Sequence, residues 1–151
     1  MTFGETELLA YMRSHRLAVV ASIGANGAPQ SALVGIAVSS RCELVFDTTS
    51  DTRKHANLTR DPRAAVVLTG PGEQTLQLEG IARPVSVTDA AGAAWRDIYE
   101  AAWPDAAARR SWPHLAYWRI VPHWARYCDY GRGPLIREFE WPQHPAGHLR
   151  P

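Results

Sequence analysis

The sequence predicts a mainly β, α+β fold, an antiparallel barrel or sandwich with added helices. Three features lead there. Short apolar runs rich in β-branched residues recur between residues 17 and 81, with connections of only a few residues. Asn26-Gly27, between the first two runs, is a strong hairpin signal. Residues 75–81 alternate strictly between apolar and polar, the mark of a strand with one wet face. Strands joined by hairpins argue against a parallel doubly wound sheet, whose strands need long crossovers.

The elements follow in order. Residues 6–16 place Leu8, Leu9 and Met12 at helical spacing, with Glu7 early and Arg13 and Arg16 late, as a helix dipole favours. Residues 17–23 are a β-branched run, and 30–38 are the returning strand, with Gly35 a bulge or a place of close backbone approach. Residues 43–48 form a third strand. Residues 49–60 are the helix within this run of strands, capped by Thr49 or Ser50 and stopped at Asp61-Pro62. Strands are expected over 64–69 and 75–81. Trp95, Ile98, Tyr99 and Ala102 make an apolar stripe in a helix over about 88–103, interrupted by Pro104 and followed by a short Ala-Arg helix. Residues 115–129 read as a long aromatic strand broken at Pro122, and 135–141 as a final strand.

The 151 residues and 16.7 kDa are one domain's worth, 1–141, with a loose Pro-rich tail over 142–151. Sixteen basic against fifteen acidic residues give +1. No net field draws nucleic acid or anionic lipid, so any anion must be recognised by a local cluster. No apolar run approaches the roughly 20 residues that span a bilayer, and the acids near the start argue against a signal peptide. Cys42 and Cys128 lie far apart without close partners, which predicts neither disulfide nor zinc site and a cytoplasmic setting. His144 and His148 have ligand-like spacing but no cysteine or carboxylate beside them, so no metal site is expected. His55 and His123 read as structural. The aromatic group Trp112, Tyr117, Trp118, Trp124, Tyr127 and Tyr130 reads as core or dimer interface.

The chemistry concentrates in Phe46-Asp-Thr-Thr-Ser-Asp-Thr-Arg-Lys-His-Ala-Asn57. A strand ends in hydroxyl residues, and a helix begins with Thr52, Arg53 and Lys54. Lys54 is the only lysine among sixteen basic residues. A helix N-terminus offers free N–H groups and a positive dipole end. Cations there run against the dipole, a conflict that a bound anion would resolve, as would plain solvation of a basic helix end.

The order of apolar strand, Asn-Gly hairpin, strand, Phe-x-Thr, Ser-x-x-Arg-Lys, Asn-Leu-x-x-Asp-Pro-Arg and alternating Glu-Gly-x-Ala strand resembles the pyridoxamine 5'-phosphate oxidase-like family of FMN-binding split-barrel proteins. The likeness covers 17–85 and continues more loosely through Tyr117-Trp-Arg-Ile-Val-Pro-His123. It implies a Greek-key split β-barrel of about six antiparallel strands with flanking helices. It also implies a homodimer whose flavin touches both chains. By this resemblance Arg53 and Lys54 grip the flavin phosphate and Thr52 assists. Thr48 and Thr49 lie beside the flavin tail, and the backbone of Ala32, Leu33 and Val34 borders the ring. Thr75 falls where the family uses a glutamine of the neighbouring subunit. Departures are Ala32 for an arginine and Ala37 for a lysine of the true oxidases. Gly131-Arg-Gly-Pro-Leu-Ile-Arg-Glu138 stands in place of their closing Arg-x-His-Asp-Arg run. The resemblance therefore implies an FMN-dependent oxidoreductase on a small, uncharged or weakly charged substrate, not pyridoxamine 5'-phosphate, with no catalytic side chain named. The alternatives are a deazaflavin (F420)-dependent reductase on the same fold and a non-enzymatic flavin- or haem-binding protein.

Overall fold

A computed structural model describes residues 3–131 and 133–142. Of the tail, only Pro142 falls within them, so His144 and His148 lie outside the described residues, as does Arg132. The elements are α1 (Glu5–Arg13), β1 (Leu17–Ile23), β2 (Pro29–Gly35), β3 (Ala37–Val38), β4 (Leu44–Thr49), α2 (Arg53–Arg60), β5 (Arg63–Thr69), β6 (Gln74–Val85), α3 (Ala90–Ala102), a 3-10 helix (Pro104–Ser111), β7 (Leu115–Asp129) and β8 (Leu135–Glu140). All strand pairings are antiparallel, in the order β2-β1-β5-β6-β7-β4-β3, with β8 on the distal half of β7.

The two ends of this path, β2 and β3, are separated in the chain only by Ile36, so the path returns on itself as a split barrel with flanking helices. Eight strands form it where about six were expected. The expected strand over 30–38 divides at Ile36, where the ladder with β1 ends and that with β4 begins. The Ile36 N–H donates to Arg16 O, and its carbonyl accepts from the Trp103 indole at 2.9 Å. The chain there leaves β1 and joins β4. Gly35 admits this, because a Cβ there would meet the Trp103 ring at 2.8 Å.

Pro122 does not break β7. A proline cannot donate to a central ladder, and the register shifts by one residue between Glu79 and Gly80 of β6, opposite Pro122. The Asn26-Gly27 hairpin forms, but as a longer loop from Gly24 to Ala28 in which only Gly27 is left-handed (φ 81°). Helix α2 starts later than expected. Thr49, Ser50 and Asp51 form a turn, and Thr52 caps the helix, accepting from the His55 N–H at 3.3 Å.

The barrel interior is filled by alternate residues of the strands, among them Val20, Leu44, Phe46, Val66, Leu76, Leu78 and Ile120, sealed by Leu8 and Met12 of α1. A second core lies outside the sheet, where Trp95 and Tyr99 of α3 cover Val45, Val85 and Tyr117. Burial at about 25 cal/mol per Å² makes these two layers the main source of stability. Of the aromatic group, Tyr117, Trp118 and Tyr127 are buried core, whereas Trp112 and Tyr130 are exposed. No helix among the described residues is long and apolar enough to cross a membrane.

Candidate functional site

The N-terminal turn of α2 faces the inner side of the β1–β2 ribbon across a cleft of about 390 Å³. Thr52, Arg53 and Lys54 form one wall; Ser22, Gln30 and Ala32 are prominent on the other. The first turn of α2 holds no acid, so no carboxylate within it offsets the dipole end. None of the ion pairs among the described residues involves Arg53 or Lys54. Arg53 is exposed. Lys54 is half-buried, with Nζ 5.8 Å from the Phe46 ring centroid. Burial holds its pKa below the ordinary 10.5, and the Asp47 carboxylate opposes that shift.

A directed chain of hydrogen bonds fixes the ammonium. Lys54 Nζ donates to Thr48 Oγ1 at 3.0 Å, and Thr48 Oγ1 meets Thr52 Oγ1 at 3.1 Å. Thr52 Oγ1 donates to Thr49 O at 2.9 Å. The Thr52 proton is used there, so Thr48 is the donor between the two hydroxyls. Both hydroxyls orient the helix end and the lysine, leaving the Arg53 side chain, the remaining Lys54 protons and the backbone N–H groups of Arg53 and Lys54 to meet a ligand, the His55 N–H being taken by the Thr52 cap. Thr49 turns away, its hydroxyl donating to Asp51 at 2.5 Å.

The β2 residues are divided by strand alternation. Ala32 borders the cleft, Leu33 points out of the sheet at 65% exposed, and Val34 is in the barrel core. Strand β2 ends the sheet path, so half of its backbone groups face an open edge. Thr75 pairs with Thr69 at the far end of β5, on the outward face shared by Val67 and Gln77, away from this chain's own cleft.

Three residues that shape the site were given no role in it from the sequence, although Asn57 closes the motif that begins at Phe46. Asn57 Nδ2 donates to Ser22 Oγ at 3.1 Å and to Gln30 Oε1 at 2.8 Å, pinning α2 to the cleft floor, while Arg60 bonds Asn57 Oδ1 at 3.0 Å. A signal was present. Ser22 and Gln30 are polar at inward positions of strands that otherwise turn Ala18, Val20, Ala32 and Val34 that way. His55 is structural in placement, its Nδ1 accepting from the buried Trp118 indole at 3.1 Å. That bond puts the proton of the neutral ring on Nε2.

The family model described as pyridoxamine 5'-phosphate oxidase matches residues 5–129. This chain belongs to the pyridoxamine 5'-phosphate oxidase family. Comparison with curated proteins by sequence yields no match. Solved structures with the same fold include a pyridoxamine 5'-phosphate oxidase-related, FMN-binding protein from Nostoc punctiforme. It aligns at TM-score 0.71 and 14% identity over 95% of this chain and 94% of that one. A heme-binding protein from Mycobacterium smegmatis aligns at TM-score 0.73 and 18% identity; 87% of this chain covers 55% of that longer one. HutZ, the heme storage protein of Vibrio cholerae, aligns at TM-score 0.68 and 12% identity, over 78% of this chain and 89% of that one. At such identities these structures share the fold of this family member. Its ligand is a question for its own residues.

Proposed function

We propose that this family member is an FMN-binding flavoprotein, an oxidoreductase acting on a small molecule and working as a homodimer. The observation that carries the reading is the pair Arg53 and Lys54, without a carboxylate partner, at an acid-free helix N-terminus on the wall of a cleft. Two cations and free N–H groups suit a terminal phosphate dianion. The open edge of β2 suits a planar heterocycle that needs both donors and acceptors. When bound, the flavin supplies the electron or hydride transfer. The chain's own part is to hold the phosphate at Arg53 and Lys54, orient it through Thr48 and Thr52, and present the β2 edge.

The haem-binding relatives in the fold make haem the second reading. Iron needs an axial histidine, cysteine, methionine or tyrosine, and none of the cleft-lining residues is one of these. The nearby His55 spends its Nδ1 lone pair on Trp118. A deazaflavin of the F420 type would use the same phosphate position. The substrate is not pyridoxamine 5'-phosphate. Ala37, where the true oxidases carry a lysine, is buried in the second core, and Arg137 of β8 bonds its neighbour's carbonyl.

Outward-facing Leu17, Val19, Leu33 and Val67 form one apolar strip across β2, β1 and β5, with Val19 paired to both Leu33 and Val67. Such a strip calls for cover, and a second copy is the occupant we assign. Thr75 lies on the same face one strand further on, and in this reading it serves the partner's site rather than its own. Cys42 and Cys128 are buried free thiols, in keeping with a cytoplasmic setting. Mass spectrometry and absorption of the ligand released from purified protein test the reading. FMN with flavin bands is expected; a Soret band or a deazaflavin spectrum would replace it.

A further inference from the structure

On the side of the sheet away from the barrel core, α3, the 3-10 helix and the chain at the ends of β6 and β7 border a second, half-open cavity of about 310 Å³. It shares no residue with the cleft at α2. Val87, Ala93 and Leu115 give it an apolar wall, and Val87 is 49% exposed there. Its polar wall is unusual in how the charges are matched. Arg110 is engaged by Glu100 through Nε and Nη2, at 2.7 and 2.5 Å. Arg96 and Asp97 also line the cavity, yet neither makes a direct ion pair among the described residues; Arg96 feels Glu100 and Asp97 feels Arg110 only at longer range. Arg96 makes one bond, from Nη1 to Ser86 O at 2.6 Å, which leaves its other N–H groups free. Consecutive helical residues point in different directions, so the cation and the anion address different parts of the same space. Tyr117 borders the cavity as well, 1% exposed, and its hydroxyl has no hydrogen-bond partner.

The charge sum decides the ligand class. Arg96, Arg110, Asp97 and Glu100 cancel, so a simple anion gains nothing from the net field. A molecule carrying both charges gains from each end. We infer that this cavity binds a small zwitterion with an apolar body, of the α-amino acid type. Its carboxylate lies on the free Arg96 guanidinium, its ammonium at Asp97, and its side chain against Val87, Ala93 and Leu115. The Tyr117 ring forms the base, and a cavity of this size admits a medium-sized amino acid.

The test is ligand-observed NMR and calorimetry on the full chain with three probes of similar bulk: leucine, 4-methylpentanoate, which lacks the ammonium, and 3-methylbutylamine, which lacks the carboxylate. Leucine is expected to bind at millimolar concentration or better, and each truncated probe at least about tenfold more weakly, the loss of one charged hydrogen bond. Asp97→Asn, at an exposed position without a direct ion pair, keeps the fold and removes the preference for leucine over 4-methylpentanoate. Arg96→Gln removes the preference over the amine. Flavin binding at α2 is unchanged in both variants, which separates this site from that one. Equal binding of all three probes, no binding of leucine, or an unaltered preference in the folded Asp97→Asn protein would overturn the inference.

Discussion

Lys54 illustrates how one side chain ties burial to ligand binding. Its pKa is lowered by burial, so the fold disfavours the ammonium, and the stability of the free protein rises as pH climbs through that lowered value. A bound phosphate dianion acts in the opposite sense and favours the ammonium. Flavin affinity should therefore be full near neutral pH and fall as pH rises through the lowered lysine value. It should also fall below about pH 6, where the phosphate takes up its second proton. Fluorescence titration across that range is the measurement. Lys54→Met should bind more weakly at neutral pH and lose the alkaline limb. Arg53 stays charged throughout, so Arg53→Ala should weaken binding but keep that limb. Each truncation should cost about 1.5–3 kcal/mol of binding, the scale of hydrogen bonds to charged groups. Outside the cleft, Asp47 accepts from Tyr99 Oη at 2.8 Å and Arg109 Nε at 2.9 Å, latching α3 and the 3-10 helix onto β4. Asp47→Asn should destabilise by about 1–3 kcal/mol, read as a lower denaturant midpoint. A midpoint equal to wild type would show that the latch is idle.

At the scale of elements, α2 depends on Asn57, the one polar side chain that ties it to both β1 and β2. Asn57→Ala leaves Ser22 and Gln30 without that donor. Unfolding free energy should drop by about 1–3 kcal/mol, with flavin affinity lost beyond what either cation truncation removes. If folded Asn57→Ala binds flavin as wild type does, the helix is held in place by packing alone. Gly80→Ala should be costly for a different reason. The new Cβ would lie 2.5 Å from Val121 O, at the bulge that lets Pro122 stay in a central strand. A loss of about 1–3 kcal/mol is expected from such overpacking. These elements also show what could be seen in the chain beforehand. Strands β1, β4, β5, β6 and β8 were legible because β-branched runs and period-2 alternation report burial directly. The cationic, acid-free start of α2 was legible because Arg53 and Lys54 at a helix start contradict the dipole. The division of β2 from β3 was not, because the bond at that point comes from Trp103, 67 positions from Ile36 in the chain. Asn57 was equally hidden. Its partners lie 35 and 27 positions away, and although the inward polar positions of Ser22 and Gln30 stand out locally, nothing local pairs them with Asn57.

The whole molecule presents one sheet face that a solitary barrel would leave wet. Leu17, Val19, Leu33 and Val67 form a strip on strands whose opposite side is already core. Light scattering should give twice the 16.7 kDa chain mass. Leu33→Lys, at the most exposed of the four positions, should shift the protein toward monomer and weaken flavin binding together, since Thr75 would no longer reach a partner's site. A monomer that binds flavin as tightly as wild type would disconnect assembly from the cleft. The proposed phosphate site on α2 is probed most directly by comparing FMN with riboflavin in a fluorescence titration, because the two differ only in the phosphate. FMN should bind wild-type protein at least about a hundredfold more tightly than riboflavin, the worth of two charged contacts. The Arg53→Ala/Lys54→Ala double variant should lose most of that margin. Equal affinity for the two flavins in wild-type protein, or an undiminished margin in the double variant, would contradict it.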